Sequence, residues 1–102
     1  MGFVRTVKVE ELPPGTVREL YVEGKAVAVA NVDGKFYAIN NTCLHRGGPL
    51  GNGLLEGKVV TCPWHGWQFD VTNGKLVQNP AVGVDCYPLE VRGQDIFVDV
   101  GV

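Results

Sequence analysis

The sequence is poor in the features that would tie a chain to a membrane or to nucleic acid. Nowhere in its 102 residues does an apolar run approach the twenty or so residues that a membrane span needs. Lys and Arg are scattered rather than clustered, and the formal net charge is −2. With no basic run to neutralise a phosphate backbone, nucleic acid is not an expected partner. The slight acidity suits docking on positive patches of other proteins. Residues 1–11 alternate apolar and charged side chains. They lack the basic-then-apolar layout of a secretory leader and hold no twin-arginine pair, so a cytoplasmic protein is expected. Cysteines number three, an odd count that argues against a disulfide framework. Helical periodicity is missing as well, since no stretch of about ten residues carries an apolar stripe of helical spacing. At most, residues 9–12 make one helical turn ahead of Pro13-Pro14-Gly15.

What is present reads as β-structure. Hydrophobic residues make up 45% and charged residues 20%, ordinary values for a folded chain, and the length suits one domain over residues 1–102. Residues 18–25 alternate around Leu20 and Val22, and Gly24 breaks the pattern. An apolar run at 26–32 leads through Asp33-Gly34 into 35–39, a strong hairpin signal because the turn needs positive φ at its centre. A β-branched run follows at 58–61. Segments 68–71 and 75–77 flank Asn73-Gly74, which reads as a second turn of the same kind. Segments 84–91 and 96–100 close the chain around a turn at 93–95. The expected fold is all-β, a small antiparallel β-sandwich or barrel. Residues 40–57 depart from this pattern, being rich in glycine and short of core-forming residues, and a loop of that length inside a small domain is expected to be functional.

That loop and the next are bounded by residues that bind metals. The first reads Cys43-Leu44-His45-Arg46-Gly47-Gly48-Pro49-Leu50 and the second Cys62-Pro63-Trp64-His65-Gly66-Trp67, with sixteen residues between His45 and Cys62. Both histidines of the chain and two of its three cysteines fall in these segments. A single zinc ion could take all four as a Cys₂His₂ set. In a zinc finger, however, one loop gives both cysteines and a helix gives both histidines. Here each loop supplies one of each, which suits a two-iron cluster whose irons take different ligands. The glycines around the ligands let backbone N–H groups turn toward sulfide and thiolate, and such hydrogen bonds tune a cluster's potential.

The Cys-x-His box, the sixteen-residue interval, the Cys-x-x-His box, Gly-Gly-Pro-Leu and Cys-Pro-Trp-His-Gly together resemble the Rieske family. The likeness continues through Phe69-Asp70, Thr72-Asn73-Gly74 and Pro80-Ala81. It implies a β-domain with one [2Fe–2S] cluster per chain, held at one tip by two loops. Cys43 and Cys62 would bind one iron, and His45 and His65 the other. Members from quinol-oxidising complexes carry an extra cysteine in each loop, joined as a disulfide; the matching positions here are Gly48 and Trp64. Those members also place a serine and a tyrosine hydroxyl near the cluster, where this chain has Trp67 and Phe69. Without those donors, which stabilise the reduced cluster, the expected potential lies toward the low end of the Rieske range of roughly −150 to +300 mV.

Among soluble relatives the sequence is similar to two groups, and the Cys-Pro-Trp-His-Gly box does not separate them. The first comprises ferredoxin components of bacterial ring-hydroxylating dioxygenases, which pass electrons from a flavoprotein reductase to a terminal oxygenase. The second is the small subunit of NADH-dependent nitrite reductase. A catalytic oxygenase subunit adds a mononuclear iron site with its own His and carboxylate ligands, and no histidine remains to build one. The resemblance therefore implies a monomeric electron carrier rather than an enzyme. Of the other residues, Cys86 is expected as a buried, inert thiol in its apolar-alternating segment. Trp67 is expected to shield the cluster, while Trp64 fits shielding or partner docking equally. Arg46 reads as a solvated charge, and Pro80-Ala81 as either a third loop over the cluster or an ordinary turn.

Overall fold

Short strands separated by turns run the length of the chain. The computed structural model describes residues 2–44, 47–64 and 66–101. Among these the strands are β1 (Val4–Lys8), β2 (Val17–Val22), β3 (Lys25–Val32), β4 (Lys35–Asn40), β5 (Leu54–Glu56), β6 (Val59–Thr61), β7 (Gln68–Asp70), β8 (Lys75–Leu76), β9 (Asn79–Gly83), β10 (Cys86–Tyr87), β11 (Leu89–Arg92) and β12 (Asp95–Val98). They form three antiparallel sheets, ordered β1-β12-β11, β10-β4-β3-β2 and β5-β6-β7-β8-β9. The all-β expectation holds. The single helical turn expected before the double proline is a 3₁₀ turn at Val9–Glu11. No helix among the described residues is long and apolar enough to cross a membrane.

The apolar run in β3 has a structural cause: both faces of that strand are covered. Val27 and Val29 point into a core with Leu12, Val22, Ala38, Ile96 and Val98, under the β1-β12-β11 sheet. Ala28 and Ala30 point the other way, into a core with Ile39, Leu50, Leu55, Val60, Phe69 and Leu76, under the five-stranded sheet. A strand buried on both faces loses the usual apolar–polar alternation and reads as a continuous hydrophobic run. Each fully buried valine contributes roughly 1.5–3 kcal/mol to that packing. The hairpin joining β3 to β4 turns at Asp33 (φ 51°) and Gly34 (φ 92°), the doubly positive conformation that Asp-Gly favours. A second such turn, Glu23 (φ 49°) and Gly24 (φ 81°), joins β2 to β3. The break at Gly24 is therefore a hairpin.

Four sequence expectations are corrected. Asn73-Gly74 is not a doubly positive turn: only Gly74 has positive φ (76°), and its N–H donates to the Asp70 carbonyl at 2.6 Å across a longer loop. The stretch 84–91 is two strands, because Pro88 cannot donate to a ladder; β10 pairs with β4, and β11 then pairs with β12. Pro80 and Ala81 lie in exposed β9, neither in a third loop nor in a simple turn. Finally, the glycine-rich stretch 40–57 does reach the core, through Cys43, Leu50 and Leu55, and contains a 3₁₀ turn at Leu50–Asn52 and β5.

Candidate metal centre

The two loops that carry Cys43 and Cys62 are hairpins of one design. In the first, Asn41 pairs with Leu50, Thr42 bridges to Pro49, and the Cys43 N–H donates to the Gly48 carbonyl at 2.9 Å. In the second, β6 and β7 pair Val59 with Asp70, Val60 with Phe69 and Thr61 with Gln68. The Cys62 N–H then donates to the Trp67 carbonyl at 2.7 Å. Each cysteine thus occupies the last pair of an antiparallel ladder, with Leu44 and Gly47 beyond it in the first hairpin and Pro63, Trp64 and Gly66 beyond it in the second. Both tips close the same way. The Gly47 N–H donates to the Cys43 carbonyl at 3.0 Å, and the Gly66 N–H donates to the Cys62 carbonyl at 3.1 Å. Those glycines have φ of 72° and 77°, which an L side chain adopts only with strain.

Both cysteines are buried to the same degree, each 2% exposed, at the end of the core shared with Ile39, Leu50 and Phe69. The hairpins meet at Gly48. A Cβ built there would stand 2.5 Å from the Cys62 Sγ and 3.1 Å from the Trp64 ring, so the residue paired with Cys43 abuts the sulfur of the other loop. Gly48 and Trp64, the positions where quinol-linked members carry their disulfide, are thus neighbours here, without sulfur to join them. His45, Arg46 and His65, named from the sequence, lie outside the described residues. Two buried thiols, one on each hairpin, with the Cys43-paired Gly48 against the Cys62 sulfur and a histidine two or three residues after each in the sequence, are a donor set that fits a two-iron cluster.

The surroundings separate the remaining candidates. Trp64 is 55% exposed on its tip, together with Leu44 on the other. Trp67 is half-buried against the core. Phe69 is fully buried in that same core and brings no hydroxyl to it. A cleft of about 510 Å³ runs beside the first hairpin, lined by Asn40, Thr42, Cys43 and Leu44 on one side and by Gly83, Val84 and Asp85 on the other. The third segment to approach this hairpin is therefore 83–85, just beyond the Pro80-Ala81 pair marked in the sequence. Cys86 is exposed, contrary to expectation: alternation in the two-residue edge strand β10 gives the core face to Tyr87. Partial burial, then the Asp85 and Asp70 carboxylates, push its thiol pKa up, which keeps it protonated and weakly nucleophilic.

Sequence reasoning missed Asn41, one of two buried polar residues among those described, which ties the base of the first hairpin to β2. It missed Glu19 as well, the β2 carboxylate that receives the Asn41 amide. An asparagine two residues before Cys43 was the only available signal, and it marks many loops equally well.

Comparison with known proteins agrees with this geometry. The Rieske [2Fe–2S] domain model matches residues 2–88. The ferredoxin component of the naphthalene 1,2-dioxygenase system of Pseudomonas aeruginosa is 34% identical over 99 residues, covering 96% of this chain and 95% of that protein. The biphenyl dioxygenase ferredoxin subunit of Pseudomonas sp. strain KKS102 is 36% identical over 101 residues, covering 97% and 93%. A chain in the complex of reduced oxygenase and oxidized ferredoxin in carbazole 1,9a-dioxygenase superposes with a TM-score of 0.86 at 32% identity, covering 94% and 91%. The domain match, the near full-length coverage and the paired cysteine hairpins place this chain in the Rieske [2Fe–2S] family.

Proposed function

We propose that the chain is a Rieske-type ferredoxin that carries single electrons from a flavoprotein reductase to a terminal oxygenase. The observation that carries this reading is the pair of matched hairpins, each burying a cysteine that a histidine follows closely in the sequence. Cys43 and Cys62 would hold one iron and His45 and His65 the other. When bound, the cluster accepts and returns one electron. The protein's own work is to exclude water from the thiolates, through Phe69 and Trp67, and to present the tips to a partner. No substrate chemistry is assigned to the chain. It works as a monomer that diffuses between partners, in the cytoplasm, where a reducing environment keeps an exposed thiol such as Cys86 from oxidising.

Support comes from the relatives, which are ferredoxin components of dioxygenase systems of nearly this length. A nitrite reductase small subunit of the same fold is 17% identical and supports the fold alone. The test is reconstitution. With a flavoprotein reductase of a dioxygenase system and NADH, the purified protein should be reduced by one electron and should reoxidise when its terminal oxygenase and aromatic substrate are added. Single replacements Cys43→Ser, Cys62→Ser, His45→Ala and His65→Ala should each remove the cluster's electron paramagnetic resonance signal. Reduction without reoxidation by any oxygenase, together with stable co-purification with a large flavoprotein, would instead mark a fixed reductase subunit.

A further inference from the structure

The two hairpins are alike at their tips but not at their bases. The second continues into the full β6–β7 ladder within a five-stranded sheet. The first has only the pairs at 41/50, 42/49 and 43/48, and one of its rungs is Pro49, which has no N–H to give. So short an isolated ladder is not stable by itself in water.

Asn41 supplies what the ladder lacks. It is 3% exposed, and all four of its polar groups are used. Its N–H donates to the Ala26 carbonyl of β3 at 3.1 Å, and its carbonyl accepts the Leu50 N–H at 2.7 Å. Its Oδ1 accepts the Gly51 N–H at 2.6 Å, and its Nδ2 donates to Glu19 Oε2 of β2 at 2.5 Å. The orientation of the amide is dictated by its neighbours, since a backbone N–H only donates and a carboxylate only accepts. Gly51 is pressed against the same strand: a Cβ there would stand 2.5 Å from both the Cα and the N of Glu19. A charge-assisted hydrogen bond is about twice as strong as a neutral one, so the carboxylate end makes this a firm anchor.

We propose that Asn41 and Glu19 are positioning residues that clamp the first ligand hairpin to β2 and so fix where Cys43 meets the cluster. The proposal rests on the reading of Cys43 as an iron ligand. Cluster retention and electronic structure then depend on a donor–acceptor pair at the base of the hairpin, with Asn41 two residues before Cys43.

The pair can be broken and remade with reversed polarity. Asn41→Asp keeps the shape and the acceptor for Gly51 but sets a carboxylate against Glu19. Adding Glu19→Gln restores a donor facing an acceptor. The holoprotein is assayed for iron loss to a chelator and for its electron paramagnetic resonance g values and midpoint potential. Leu12→Ala, in the opposite core, serves as a control for general destabilisation. We expect N41D to lose iron at least about tenfold faster than wild type and to shift the g values, in line with the effect of outer-shell changes at metal sites. The double variant should recover both readouts, while L12A should lower the melting temperature and leave the g values unchanged. If N41D assembles no cluster, recovery of assembly in the double variant supports the clamp. Wild-type behaviour of N41D, or a double variant no better than N41D, overturns it. A wild-type protein lacking the Rieske signal would overturn the ligand reading itself, and the proposal with it.

Discussion

Gly48 stands so close to Cys62 that a single methyl group on it would lie 2.5 Å from the Cys62 sulfur. Its φ is not in the left-handed region, so the need for glycine here is spatial rather than conformational. Because Gly48 also pairs with Cys43, one residue sets the spacing between the two thiol-bearing hairpins.

Gly48→Ala should therefore spare the fold and damage the centre. Overpacking a tight site costs about 1–3 kcal/mol, which the two packed cores should absorb. The expected outcome is a near wild-type far-ultraviolet circular dichroism spectrum with a reduced iron content per chain. Full iron occupancy in the variant would show that the hairpins are not locked together at this point.

Trp64 and Trp67 separate cleanly in the structure, and their variants should too. Trp64→Ala removes a ring that is 55% exposed at the tip of the second hairpin. It should leave the melting temperature and midpoint potential unchanged and slow electron delivery to the oxygenase severalfold, since exposed aromatics at interfaces carry much of the binding energy. Trp67→Ala removes a half-buried ring from the core and should cost roughly 2 kcal/mol in denaturant unfolding. An unchanged delivery rate in Trp64→Ala would assign docking to another surface.

How far the sequence reached can be argued from these residues. The strand at 26–32 announced itself because both of its faces are buried, and the Asp33-Gly34 turn was visible because its chemistry is local; β1 and β5 were not read as strands, although Val4, Val7 and Leu55 pack in the cores, because each is too short to show a run. The family resemblance was visible because two cysteines and two histidines do not concentrate in two short segments at such spacing by chance, and the family match over residues 2–88 agrees with it. Cys86 was misjudged because alternation shows that one face is buried without saying which. Pro88 was misjudged because a strand that changes sheets looks, in sequence, like a strand that continues. Glu19 and Asn41 stayed hidden because their contact joins residues 22 positions apart, and no local pattern encodes it.

Asp70 should make the protein sensitive to acid. Burial pushes its carboxyl pKa up, but hydrogen bonds from the Thr72 hydroxyl and N–H, together with the Lys58 ammonium at 3.5 Å, outweigh burial and leave it lowered. A carboxyl with a lower pKa folded than unfolded stabilises the fold above its unfolded value of about 3.9, and that contribution fades as pH falls through the folded value. Asp70→Asn should thus be less stable than wild type at pH 7, with the gap closing below about pH 4. Denaturant titrations of both proteins across that window provide the check, and a gap that widened on acidification would reverse the assignment.

The central claim is tested most directly by an anaerobic redox titration of the purified protein, followed by electron paramagnetic resonance and metal analysis. The expected result is two irons per chain and a Rieske-type signal that appears on one-electron reduction. The midpoint should lie below about 0 mV, low in the roughly −150 to +300 mV range, because Trp67 and Phe69 bring no hydroxyl to the cluster. A strongly positive midpoint would contradict that reading of Trp67 and Phe69 and return a quinol-linked role to consideration. A colourless protein that holds zinc, and from which iron–sulfur reconstitution raises no signal, would contradict the account as a whole.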